Sequence, residues 1–318
     1  MLEVLELRED LDEKEKAYRQ ELSRKILELK KQRDATILVH NYQRDEIQDI
    51  ADFSGDSLAL ARAATRVEND VIVFCGVHFM AESAAILNPT KKVLLPVKEA
   101  GCPMADMVTV EKLQRKKLEY PDAAVVCYVN SSAAVKAESD ICCTSSNAIK
   151  VVNAIEQKQI IFVPDQNLGR YAAKNTDKEI ILWGGFCATH HRLHSSEVLR
   201  CKEDNPDAEI LVHPECREEV IDIADAVCST QGMFSHVKNS SSKTFIICTE
   251  GGIVYNLRKQ NPDRRFIVPS EHLICANMKL TTLGWVLRAL ENMQYQITVE
   301  EHIREQAQVA LERMLAVT

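Results

Sequence analysis

The sequence predicts an α/β fold: three similar α/β/α domains with short parallel sheets, related by pseudo-threefold symmetry around a central site. Three observations predict it. The stretches "ATILVHNY" (35–42), "AAVVCYVN" (123–130) and "AEILVHPE" (208–215) each read as a buried parallel strand, apolar until its polar carboxyl end. His40, Tyr128 and His213 hold the same place in them, and each is followed after 17 residues by a hydroxyl: Ser57, Ser145 and Thr230. Two further apolar runs follow in every copy, separated by helical patterns. Such alternation implies parallel sheets with right-handed crossovers.

Taken in order, residues 1–34 form an N-terminal helical segment, with a helix over about 11–33. The first copy (35–107) continues with strands at "VIVFCG" and "KKVLLP"; the second (108–193) with "QIIFVP" and "EIILWG"; the third (194–278) with "TFIICT" and "RRFIVP". Helices at "VEKLQRKKLEYPDA" and "SEVLRCKEDNPDA" lead into the second and third copies by the same Pro-Asp-Ala exit. Residues 279–318 read as a C-terminal helical segment. Between the first strand and the hydroxyl, each copy reads as a polar turn and a helix-like stretch carrying Asp52, Asp140 or Asp225. Two residues beyond His40, Tyr128 and His213 stand Tyr42, Asn130 and Glu215. Ligands of open α/β sheets bind beyond the carboxyl ends of the strands, so all these residues are expected to line one central cavity.

Composition narrows the function. The 318 residues are 46% hydrophobic and 27% charged, with a net charge of −8, which argues against a general nucleic-acid or anionic-membrane surface. The charged N-terminus is no signal peptide, and no apolar run approaches the ~18 residues that span a bilayer. A cytoplasmic location is expected. Neither G-x-G-x-x-G nor a Walker loop occurs.

The 11 cysteines, odd in number and without a C-x-x-C pair, suit reduced thiols better than a disulfide framework. The repeat sorts them. Only Cys102, Cys187 and Cys275 recur in every copy, 62, 59 and 62 residues after His40, Tyr128 and His213. The other eight read as small buried hydrophobes or inert thiols. Three thiolates meeting near an axis are one short of a structural zinc site or an ordinary iron–sulfur set; a cubane held by three leaves one iron open as a Lewis acid. A local zinc site within "CATHHRLH", pairing His190 with His194, is a rival. His190 more naturally turns towards the ligand of the open iron, with His191 and His194 at the surface.

The motifs "HNYQ", "DFSGDS", "GCPMADM", "YVNSS", "CCTSSNA", "PDQNLG", "WGGFCATH", "VHPEC", "CSTQGM", "TEGG" and "CANMKLTTL" together resemble the quinolinate synthase family of NAD biosynthesis. The resemblance runs from about residue 35 to 285. It implies condensation of iminoaspartate with dihydroxyacetone phosphate to quinolinate, phosphate and two waters, and a [4Fe-4S] cluster on Cys102, Cys187 and Cys275. It implies catalytic roles for Tyr42, His213 and Glu215. Substrate binding would fall to His40, Ser57, Tyr128, Asn130, Ser145, His190, Ser229 and Thr230. An enzyme that supplies iminoaspartate is a candidate partner. The hydroxyls are expected at helix starts, where free N–H groups favour phosphate or carboxylate. Ser57 is expected on the phosphate side, since Gly55 would let a bulky oxyanion approach the backbone, and Thr230 with Ser229 on a carboxylate. An iron–sulfur hydro-lyase of another small anion, or a non-catalytic iron–sulfur sensor, are the alternatives.

Overall fold

A computed structural model describes residues 12–317; the start of the N-terminal helical segment and Thr318 lie outside the described residues. The chain builds three four-stranded, wholly parallel sheets. The first holds β1 (Ala35–His40), β2 (Phe53–Gly55), β3 (Val71–Cys75) and β4 (Lys92–Leu94). The second holds β5 (Ala124–Tyr128), β6 (Ile141–Cys143), β7 (Gln159–Val163) and β8 (Glu179–Leu182). The third holds β9 (Glu209–Val212), β10 (Ala226–Val227), β11 (Thr244–Cys248) and β12 (Arg265–Ile267). Their spatial orders, β2-β1-β3-β4, β6-β5-β7-β8 and β10-β9-β11-β12, are the same topology three times. Three similar α/β/α domains are therefore what the fold contains.

Each sheet has one strand more than the pattern predicts. β2, β6 and β10 are two or three residues long and pair at the sheet edge just before the hydroxyls. So short a segment carries no periodicity. What holds it in register is the repeated aspartate. Asp52 Oδ2 accepts the Ile37 N–H at 2.8 Å, Asp140 Oδ2 that of Val125 at 2.7 Å, and Asp225 Oδ2 that of Ile210 at 2.7 Å. In each case the aspartate's own N–H is donated back to the same residue's carbonyl. One carboxylate thus closes the edge of each sheet at the same place, which is why the 17-residue interval is kept. Asp140→Ala strips a charged acceptor from a buried strand N–H, a loss of ~1.5–3 kcal/mol. A clear fall in the thermal unfolding midpoint is expected, and an unchanged midpoint would remove this role.

The sheets are joined through their faces. Along β1, Ile37 and Val39 pack outwards with Leu22 and Ile26 of the helix Glu13–Gln32 and with Leu283, Val286 and Leu290 of the helix Leu283–Asn292. Leu38, on the opposite face, enters a common core that also takes Val126 and Leu211 from the first strands of the other two sheets. Ile210 and Val212 of β9 face a third, outer cluster. Successive side chains of a strand point to opposite faces, so one face of every sheet contributes to a shared interior and the carboxyl ends are drawn together.

The C-terminal segment is not one helical run. After Leu283–Asn292 the chain turns through left-handed Met293 and Tyr295 (φ 50° and 58°) and runs antiparallel beside β4, with Ile297 N–H donating to Val93 O at 2.8 Å. A second helix, Glu301–Ala316, then buries Ala307, Ala310, Leu311 and Met314 in the shared core. No helix among the described residues is long and apolar enough to cross a membrane.

Candidate active site

A cavity of about 240 Å³ opens where the three sets of strand ends meet. His40 and Tyr42 follow from β1, Tyr128 and Asn130 from β5, and His213 and Glu215 from β9; all six line it. So do Ser57, Ser145, Thr230 and His190, and all three repeat cysteines. Ser229 alone of the predicted site residues is not on its wall. It caps the helix Thr230–Asn239, its Oγ accepting the Gly232 N–H at 3.0 Å, and lies 3.0 Å from Ser146 Oγ.

Two of the hydroxyls stand at helix starts as expected. Ser57 is the first residue of Ser57–Ala64, capped by Asp56, and Thr230 the first of its helix. Ser145 lies three residues before the helix Ala148–Ala154, outside its first turn. The reason offered for Gly55 changes: a Cβ there would meet Ala59 Cβ at 2.9 Å, so glycine serves close strand–helix packing rather than approach of an oxyanion. Beside Ser57, Asp56 adds a carboxylate to the wall, bonded to Ser146 Oγ at 2.7 Å.

A hydrogen-bond chain crosses the buried floor. Glu215 Oε2 lies 2.7 Å from His190 Nδ1, which fixes the proton on that nitrogen. His190 Nε2 lies 2.8 Å from the Thr249 hydroxyl, Thr249 Oγ1 lies 2.6 Å from Tyr42 Oη, and Tyr42 Oη lies 2.8 Å from Thr230 Oγ1. His213 stacks on His190 with ring centroids 4.6 Å apart.

Electrostatics divide these groups. Burial, reinforced by the charge of Lys279, lowers His40 to about 3; burial and His190 lower His213 to about 3. Both are neutral imidazoles at working pH. Burial raises the Tyr42 phenol well above its ordinary value. Burial also opposes the charge on Glu215, but the ring of His190 outweighs it and holds the carboxyl down at about 2. Glu215 Oε1 and Asn130 Oδ1 are buried with no hydrogen-bond partner among the described residues.

The cysteines carry their own support. Asp165, wholly buried two residues beyond β7, accepts the Cys187 N–H through Oδ2 at 3.1 Å. Glu250, at the same place beyond β11, accepts the Cys275 N–H through Oε1 at 3.2 Å and pairs with Lys279 Nζ at 2.9 Å. Val77 holds that place in the first copy. Asp165, Glu250, Thr249 and Lys279 escaped the sequence reading. Extending the register two residues past each second strand would have exposed the two carboxylates. Burial, then the charges of Cys275 and Glu215, push Cys102 up to about 12. Burial and the charges of Glu215 and Cys102 raise Cys187 well above its usual value. Cys102 thus feels Cys275, and Cys187 feels Cys102.

Cys187, His190 and Glu215 place ligand atoms within 4.8 Å of one another, a group able to bind a metal ion. His194 takes no part in it. It is exposed at the cap of Ser195–Asp204 and 3.3 Å from Glu219, so the local pairing of His190 with His194 does not form.

A family model described as "Quinolinate synthetase A protein" matches residues 24–316, nearly the whole chain that builds these sheets and this cavity. The chain belongs to the quinolinate synthase family. Among its relatives, quinolinate synthase of Geobacter metallireducens is 55% identical over 93% of this chain and 97% of its own. That of Geobacter sp. strain M21 is 57% identical over 92% and 96%. Quinolinate synthase 2 of Methanosarcina acetivorans is 55% identical over 93% and 96%. Membership of the quinolinate synthase family makes this chain an enzyme of NAD biosynthesis.

Proposed function

We propose that this cavity condenses iminoaspartate with dihydroxyacetone phosphate, releasing phosphate and two waters, and that Cys102, Cys187 and Cys275 there hold a [4Fe-4S] cluster with one iron free of protein. The observation that carries the reading is the arrival of one thiol from each repeat at a single cavity shared with Tyr42, His213 and Glu215. The residues fit the group. Buried thiols resist ionisation unless a cation compensates them, and three soft sulfur donors select iron–sulfur or similarly soft metals. The unpartnered Glu215 Oε1 and Asn130 Oδ1 leave acceptors facing whatever completes the site. When bound, the cluster supplies a Lewis-acidic iron that polarises a substrate oxygen or nitrogen.

The protein's side chains account for the proton traffic. Glu215, ionised, is the base; its free Oε1 takes a substrate proton while His190 steadies Oε2. Tyr42, kept protonated, is a donor rather than a base, re-supplied along the Thr249–Thr230 chain. His40 uses Nδ1 to accept the Tyr42 backbone N–H at 3.2 Å, which leaves its other nitrogen as an N–H for a substrate oxygen. Neutral His213 and Tyr128 orient the ligand. Two anionic substrates in an acidic protein must be held locally, by Arg192 on the cavity wall and by the N–H groups at the starts of the Ser57 and Thr230 helices. The same reading puts the chain in the cytoplasm, with an enzyme that supplies iminoaspartate as its candidate partner.

Anaerobic purification with iron and sulfide analysis, alongside a quinolinate assay on both substrates, tests this directly. About four irons per chain are expected. Metal-free protein of full activity, or iron-loaded protein inert towards these substrates, would each sink the proposal.

The three hydroxyls offer a finer test. Each bond to a charged group contributes ~1.5–3 kcal/mol. Ser57→Ala, Ser145→Ala and Thr230→Ala should raise the two Michaelis constants unequally, by roughly one to two orders of magnitude, with iron content intact. The carboxylate of Asp56 beside Ser57 and the packing role of Gly55 weaken the case for phosphate at Ser57. Three unchanged pairs of constants would mean that these hydroxyls only shape helix ends.

A further inference from the structure

Behind the wall made by Glu250 and Ile274 lies a second cavity of about 240 Å³, as large as the first; these two residues line both, and Lys279 lines the second. Its basic side is formed by Arg44, Arg258 and Lys279. Its apolar side is formed by Val254, Phe266 and Val268. Asp45 and Glu250 also reach it, but each faces a cation: Asp45 lies 3.6 Å from Arg19, and Glu250 lies 2.9 Å from Lys279. Arg44 commits only its Nε, donated to Lys279 O at 2.8 Å. Arg258 makes no side-chain hydrogen bond or ion pair among the described residues.

Gln43 is the second, independent sign of a ligand. It lines this cavity and is wholly buried, yet neither Oε1 nor Nε2 has a partner among the described residues. An unpaired buried amide is costly, and a ligand that both donates to it and accepts from it, or bridges it to a cation, recovers that cost. An arginine with an uncommitted fork matches a carboxylate in two parallel bonds. The apolar wall, with Phe266, suits a flat ring, and the volume lies below that of a drug-sized pocket.

We infer that this second cavity binds a small aromatic carboxylate, its carboxylate on Arg258 and Gln43 and its ring against Phe266 and Val268. The site is separate from the catalytic cavity but shares a wall with it. The Lys279 ammonium is bonded to Tyr42 O and Glu250, and Glu250 in turn holds the Cys275 N–H. An anion that draws on Lys279 therefore acts on the segment that carries Cys275.

Benzoate is the probe, measured by equilibrium dialysis against the anaerobically purified full chain. One benzoate per chain is expected, bound tenfold or more weakly by Arg258→Ala and by Gln43→Leu, with Arg258→Lys between. Arg258→Ala should keep its basal turnover, which also shows that it folds. In kinetics, benzoate should lower kcat and leave both Michaelis constants nearly unchanged. This kinetic arm rests on the proposed function; the dialysis arm does not, so the two fail separately. Equal affinity in wild type and Arg258→Ala, or equally tight binding of inorganic phosphate, would overturn the inference.

Discussion

Cys187→Ala is expected to strip the protein of its iron and of quinolinate synthesis together, and Cys102→Ala and Cys275→Ala to do the same. Lewis-acid activation by a metal is worth several kcal/mol, and each 1.36 kcal/mol is tenfold, so the loss is on the order of a thousandfold or more. The thiols are not interchangeable with the remaining eight. Cys216 is fully buried, with its Sγ on Cys248 O at 3.4 Å, and Cys201 packs at the edge of the outer cluster of the third sheet. Cys201→Ala and Cys216→Ala should therefore keep both iron and activity. Iron analysis and turnover measured on the five variants decide the matter. A Cys187→Ala protein with full iron would refute the three-thiol assignment. Asp165→Asn gives a graded control, because its single carbonyl can serve only one of the two N–H groups, of Leu168 and Cys187, that the carboxyl group accepts.

Glu215→Gln should cost roughly 100- to 10,000-fold in kcat, the range for loss of a general base, while iron content stays unchanged. The amide keeps the shape of the side chain, but the oxygen that faces the cavity without a partner can no longer take a proton. The pH profile carries a second, independent expectation. The folded-state value of Glu215 is held below its ordinary one, at about 2, so the carboxylate is charged at every working pH. Its stabilising pairing with His190 is present above the unfolded value and is lost only as pH falls through about 2. His40 and His213, both lowered to about 3, remain neutral over the same range. Between pH 5 and 8 kcat/KM should thus show no limb from any of the three. A limb near pH 6 that vanishes in Glu215→Gln would overturn this picture, as would near-normal turnover of the variant.

Much of the molecule is legible in the sequence because it is repeated. A single apolar run ending in His-x-Tyr is ambiguous. Three such runs with hydroxyls at one interval, and three cysteines at nearly one interval, are not. Strand register, the direction of the carboxyl ends and the sorting of the 11 cysteines follow from local periodicity and chain spacing. These placed His40, Tyr42, Ser57, Tyr128, Asn130, Ser145, His213, Glu215 and Thr230 on one cavity, together with Cys102, Cys187 and Cys275.

Other features depend on contacts that no local pattern encodes. β2, β6 and β10 are too short to be read, and exist because a carboxylate and an edge pairing hold them. The C-terminal segment divides into two helices because one face packs on the first sheet while the other helix fills the shared core. Tyr42 meets Thr249 across 207 residues of chain, and Lys279 closes on Glu250 beside Tyr42 only once the first and third sheets share an interior. A sequence specifies which residues are polar at the end of a strand. Which of them pair, and so which remain free to act on a substrate, is decided by burial: a charge or hydroxyl removed from water must find a partner among those that packing brings within reach.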